Sequence, residues 1–122
     1  MNFDLEERTT RFAKNVIGLC KDLPRNPIND RLIGQVVGSA GSIGANYREA
    51  NDALGKKDFI LRIKISRREA KETLHWLDLL LEANENKSNN VAPLVKEATE
   101  LKKIFSAIIN KLSDNQETRN RE

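Results

Sequence analysis

The sequence predicts an all-α protein: a single antiparallel up-down-up-down four-helix bundle. Three observations carry this expectation. Apolar residues recur at three- and four-residue spacing through most of the chain, the period of a helix with one buried face. Strand signals are absent, since no stretch alternates cleanly and no Asn-Gly or Asp-Gly turn separates β-branched runs. The available core is Leu, Ile, Val and Ala with 5% aromatics in a chain that is 32% charged, which suits helix packing better than a β-sandwich. At 122 residues there is room for one core and no second domain. Four amphipathic segments with short links make such a bundle over residues 1–112, followed by a polar, loose tail over 113–122.

Each element has its own signals. Leu5, Phe12, Ala13, Val16, Leu19 and Cys20 place helix one over about 4–22, with Asp4 as its N-cap. The stretch KDLPRNPIND ends it, because two prolines in four residues cannot continue a helix. Asn29 or Asp30 caps helix two, whose apolar face is Leu32, Val36, Ile43, Tyr47, Ala50 and Leu54, and Gly55 stops it. Helix three runs from about Lys57 to Ala83 on a face of Phe59, Ile63, Ala70, Leu74, Leu77 and Leu81. After the polar link NENKSNN, helix four begins near Val91. Pro93 falls in its first turn, and its apolar positions are Leu94, Val95, Ala98, Leu101, Phe105, Ile108 and Leu112. The ending SDNQETRNRE has no apolar anchor.

Charge is uneven. Residues 1–55 are neutral overall, residues 56–71 carry a net +5, and residues 72–122 carry a net −2, within a total of +3. The positive field is therefore local to helix three. Lys64, Arg67, Arg68 and Lys71 share one side of it, with His75 continuing the line, which suits a phosphate backbone. With no aromatic expected on that side, base stacking is not anticipated. The acidic start MNFDLEERTT is unlike a signal or transit peptide, the longest uncharged run (Leu32–Tyr47) is too short to span a bilayer, and the lone Cys20 forms no internal disulfide. A cytoplasmic protein without a membrane is the expectation.

The stretch GQVVGSAGSIGAN poses a choice between a phosphate loop and a thin helix. It lacks the Lys-Ser or Lys-Thr of a P-loop, a preceding strand and the G-x-G-x-x-G spacing, so the helix is preferred. On that helix Gly34, Gly38, Gly41, Ser42 and Ala45 form a strip of small residues against which another helix can close. Each glycine costs about 1 kcal/mol relative to alanine, so four need an offsetting contact. Helix three offers a second apolar strip, Leu61, Ile65, Trp76, Leu79 and Ala83, expected to lie opposite its basic side. The two strips together predict contact with another copy of the chain through Gly34, Gly38, Gly41, Ala45, Leu61, Ile65, Trp76 and Leu79.

The segment SAGSIGANYREA followed by KKDFILRIKISRREAKETLHWLDLLLEA resembles the bacterial four-helix-bundle proteins related to the 23S rRNA intervening-sequence protein. The resemblance spans about Phe12 to Leu112 and is densest from Ser39 to Leu81. Gly44 and Ala50 stand where many relatives have Pro and Gly. Ser42, Asn46, Arg48, Glu49, Glu69 and Glu72 match the family pattern. The resemblance implies an antiparallel four-helix bundle, a homopentameric barrel and an association with RNA biology, since a similar accessory protein of diversity-generating retroelements works with a reverse transcriptase. It brings no catalytic residues, cofactor or small-molecule substrate.

Other chemistry is thin. Glu72 and His75 make one Glu-x-x-His unit, but a di-iron bundle needs two and the chain has a single histidine, so no metal is expected. One His and a core-facing Cys20 build no nucleophilic triad. Glu69 and Glu72 are read as members of a structural polar cluster with Asn46, Arg48 and Glu49 that fixes register beside the subunit contact. The expected protein is thus not an enzyme. It self-assembles and offers a basic surface to RNA, DNA or a nucleic-acid-handling partner. The alternative is a protein–protein adaptor whose basic strip meets an acidic protein.

Overall fold

The computed structural model describes residues 4–121, with side chains over residues 5–113. Four helices follow in chain order: α1 (Asp4–Lys21), α2 (Pro27–Asn51), α3 (Lys56–Ala83) and α4 (Ser88–Arg121), with a 3-10 turn at Glu85–Lys87 leading into the last. Among the described residues α1 packs on α2 and α4, and α3 packs on α2 and α4. No close backbone approach joins α1 to α3 or α2 to α4. That ring of neighbours is an all-α four-helix bundle. The α4 backbone continues helically through 113–121, where a loose tail is expected. The side chains of 114–122, like that of the expected cap Asp4, lie outside the described residues.

The core follows from the periodicity. Leu5, Phe12, Val16, Leu19 and Cys20 of α1 meet Val36, Ala40, Ile43, Tyr47 and Ala50 of α2 and Leu94, Ala98, Leu101 and Phe105 of α4, all buried. The Tyr47 and Phe105 rings tilt against each other at 6.1 Å. On α3 the buried face is Ile63, Ser66, Ala70, Thr73, Leu77 and Leu80, rotated from the expected one. Phe59, Leu74 and Leu81 are only half-buried at its edge. Two hydroxyl residues complete this face because each finds a partner. Ser66 Oγ donates to the Ile43 carbonyl at 3.0 Å, while Thr73 Oγ1 donates to the Glu69 carbonyl at 2.8 Å and sits 2.9 Å from Ser39 Oγ. A buried hydroxyl is tolerated when satisfied, and a pattern that counts only apolar residues passes over it.

The helix ends differ from expectation in instructive ways. α2 is capped by Asn26, one turn before Asn29 and Asp30. The Asn26 side chain accepts from the Asn29 N–H at 2.8 Å, and Pro27, which has no N–H to leave unpaired, takes the first helical position. Asn29 is then free for other work. It is buried beside Asn84, and the two carboxamides donate to each other at 3.0 and 2.8 Å. Their second N–H groups go to the carbonyls of Pro24 and Leu80. α2 stops at Asn51, leaving Leu54 95% exposed in the link. Gly55 therefore starts α3 instead of ending α2, and its φ of 104° is one that a side chain would strain. α4 begins at Ser88, so Pro93 lies in its second turn.

Candidate nucleic-acid groove

One turn of helix separates residues three or four apart, so Leu61, Lys64, Ile65, Arg68, Lys71, Glu72, His75 and Trp76 run down the outward side of α3. Lys102 and Ser106 of α4 face them, and Arg67 reaches across to within 3.4 Å of Ser106 Oγ. The result is a groove of about 1010 Å³ between α3 and α4. All five basic-strip residues expected to meet nucleic acid, Lys64, Arg67, Arg68, Lys71 and His75, line it. Lys102 and Ser106 are additions from α4. Their only sequence signal is their four-residue spacing beside the core positions Leu101 and Phe105.

Among the described residues, five Lys or Arg side chains in this groove face a single carboxylate, Glu72. Among the described residues the ion pairs lie elsewhere: Arg8 to Glu97 between α1 and α4, Arg48 to Glu6 between α2 and α1, Arg11 to Glu7, and Arg25 to Asp30. None of the groove cations joins one. The imidazole of His75 stands at 61° to the indole of Trp76, with centroids 4.9 Å apart, at the end of the cation line.

The second apolar strip is not opposite the basic side. Leu61, Ile65 and Trp76 share the groove with Lys64, Arg67, Arg68 and Lys71. The core face of α3 takes the side away from solvent, so both strips are left to the outward half of the same helix. Leu61 is 55% exposed, Leu79 is at the margin of exposure and Trp76 is half-buried against the core. On α2, Gly34, Gly38, Gly41 and Ala45 are exposed, and a Cβ on any of the three glycines would meet nothing within 4 Å. The glycine that admits a neighbouring helix is Gly44, buried against Thr9 of α1.

The expected polar cluster is divided. Arg48 turns to α1, donating to Glu6 at 2.9 Å and to Thr10, and Asn51 supports the same carboxylate at 2.7 Å. Asn46 donates to the Ser42 carbonyl at 3.0 Å and approaches Arg62. Glu49 is exposed, and neither the Glu69 nor the Glu72 carboxylate takes a hydrogen bond or ion pair from a described residue. The cause is geometric: Arg48 lies on the α1 side of α2, while Glu69 and Glu72 lie on α3. Burial, and then the neighbouring Glu72, push the Glu69 carboxyl above its ordinary range. Burial pushes the Cys20 thiol up to about 11, which makes it a packing residue and a poor nucleophile.

Among the described residues no three His, Cys, Asp or Glu side chains come together to hold a metal ion, and no helix is long and apolar enough to cross a membrane. A search of curated proteins gives no match. Among solved structures, the chain is similar to a protein with unknown function from the S23 ribosomal protein family of Bacteroides thetaiotaomicron VPI-5482, whose crystal structure was determined at 1.70 Å resolution. The two are 31% identical, the match covers 85% of this chain and 96% of that one, and the TM-score is 0.74. The profile of the family described as 23S rRNA-intervening sequence protein matches residues 1–107. A match over that share of the chain, joined to the same helical architecture, makes this chain a member of the 23S rRNA-intervening sequence protein family.

Proposed function

We propose that this is a non-enzymatic, self-assembling helical bundle that binds RNA or DNA along the groove between α3 and α4, without strong sequence preference. The observation that carries the reading is the groove's charge: five Lys or Arg side chains against one Glu, with no ion pair among them in the described residues. Cations left unpaired in a concave surface attract a polyanion, and they read its backbone instead of its bases. The family's tie to rRNA intervening sequences agrees with such a ligand. The helices pair in opposite directions, as the contacts Glu6 to Arg48, Ile43 to Ser66 and Asn29 to Asn84 favour. The family resemblance supplies the pentamer, and the acidic start and the lone Cys20 supply the cytoplasmic setting. Leu61, Ile65 and Trp76 line the groove, so the contact between copies rests on Gly34, Gly38, Gly41 and Ala45 with Leu79.

The test is a gel-shift titration of structured RNA with the full chain and with the triple variant Arg67→Glu, Arg68→Glu, Lys71→Glu. The wild type is expected to bind at low salt and to lose roughly fifty- to five-hundredfold in affinity between 50 and 200 mM salt, as four or five phosphate contacts to single-stranded or paired segments require. The variant is expected to lose binding at every salt concentration. Equal binding by the two proteins, or salt-insensitive binding, removes the reading. Capture of an acidic protein with no RNA binding turns it toward an adaptor.

A further inference from the structure

We infer that the groove is built for single-stranded nucleic acid, with an unpaired base stacked on Trp76 while the cations of α3 and α4 hold the flanking phosphates. The inference rests on the reading above and adds the class of strand. A basic strip alone does not distinguish a duplex from a single strand, because both present phosphates. What distinguishes them is the aromatic pair at the end of the strip. Trp76 and His75 line the same groove as Lys64, Arg68, Lys71 and Lys102. From Lys64 to His75 the line covers about 16 Å of helix at 1.5 Å per residue.

Stacking needs a free base face, which a duplex hides between its neighbours and a single strand offers at every nucleotide. The shape of the site points the same way. A helix that reads a duplex projects into its major groove, whereas α3 is flanked by α2 and α4 and its basic side forms one wall of a recess. A flexible strand can bend to follow that wall more closely than a stiff double helix can. The apolar residues Leu61 and Ile65 extend the floor beside the cations and give sugars and base edges a surface to cover.

Trp76 is the single tryptophan, so its fluorescence reports the site directly. The full chain is titrated with a mixed-sequence RNA of about 12 nucleotides, within the range that such sites occupy, and with the blunt duplex of the same sequence. The single strand is expected to bind at least about fivefold more tightly and to quench the Trp76 emission. Trp76→Leu, which keeps aliphatic packing against the core, is expected to lower single-strand affinity about tenfold and to leave the duplex unchanged. Trp76→Phe is expected to stay within about threefold of wild type, since it keeps a ring. Equal affinity for strand and duplex, absence of quenching, or equal damage from the Leu and Phe variants overturns the inference and leaves the basic groove standing. Emission that shifts on protein dilution instead of on RNA addition also overturns it, by placing Trp76 in the contact between copies. Failure to bind either RNA at low salt removes both readings together.

Discussion

A Cβ added at Gly44 would lie 2.9 Å from Thr9 Oγ1 and 3.3 Å from Thr9 Cβ, whereas one added at Gly38 would meet nothing within 4 Å. Thr9 has little freedom to yield. It is fully buried, and its hydroxyl is held by the carbonyls of Leu5 at 2.7 Å and Glu6 at 3.1 Å. The two glycines therefore respond to alanine with opposite signs. At Gly38 only the helix propensity changes, so Gly38→Ala is expected to stabilise the isolated chain by about 0.5–1 kcal/mol. At Gly44 the same propensity gain is outweighed by overpacking of about 1–3 kcal/mol, for a net loss near 1 kcal/mol. Urea unfolding of both variants, at a dilution where the chain is monomeric, checks the pair. Adding Thr9→Ala to Gly44→Ala is expected to cost less than the two changes summed, because the hydroxyl in the way is gone. A destabilised Gly38→Ala, or a neutral Gly44→Ala, contradicts the assignment of Gly44 as the close-approach site.

At the scale of elements, the Asn29–Asn84 pair joins the start of α2 to the end of α3 and, through the Pro24 carbonyl, to the link after α1. All four carboxamide N–H groups and both oxygens are satisfied in a buried setting, so removing one partner orphans the other. Asn84→Ala is expected to cost about 2–3 kcal/mol, read as a fall of about 10 °C in melting temperature. A fall under about 2 °C means that water takes the place of the lost amide. This pair also explains where the sequence was legible and where it was not. Four helices and most of the core were readable because Phe12, Val16, Ile43, Leu101 and Phe105 obey the helical period. The start of α2 was not, because Asn26, Asn29 and Asp30 are all chemically able to cap it. What decides among them is that Asn29 is needed 55 positions away. The α3 face was misplaced for a similar reason, since Ser66 and Thr73 become core residues only through partners on α2. In the groove, the cations of α3 were legible from spacing alone. Their companions Lys102 and Ser106 come from another helix, and the shared position of Trp76 depends on which side of α3 the core claims.

Across the whole molecule, charge and exposure are distributed in complementary ways. Among the described residues the ion pairs tie α1 to α2 and α4 or cap short stretches, the groove cations stay unpaired, and α2 turns an uncharged face of small residues outward. An open helix face of Gly34, Gly38, Gly41 and Ala45 keeps its backbone accessible, which suits close approach by another copy more than solvent. Lysines at Gly38 and Ala45 test this without disturbing the subunit, because both positions are exposed and nothing crowds Gly38. Gly38→Lys with Ala45→Lys is expected to keep its helical circular dichroism and to sediment at the mass of one chain, while the wild type sediments as an oligomer at micromolar concentration. A monomeric wild type ends the assembly proposal. The same variant has a consequence for binding, because the proposed ring of copies would repeat the groove, and a long strand that reaches several grooves gains effective concentration that a short one cannot. The wild type is expected to prefer a long single strand over a 12-nucleotide one by about 10²–10⁴-fold. The dissociated variant, with its groove intact, is expected to keep the short-strand affinity and lose that preference. Loss of affinity for both lengths places the α2 face in the binding site itself, and an unchanged preference means that a single groove accounts for all the binding.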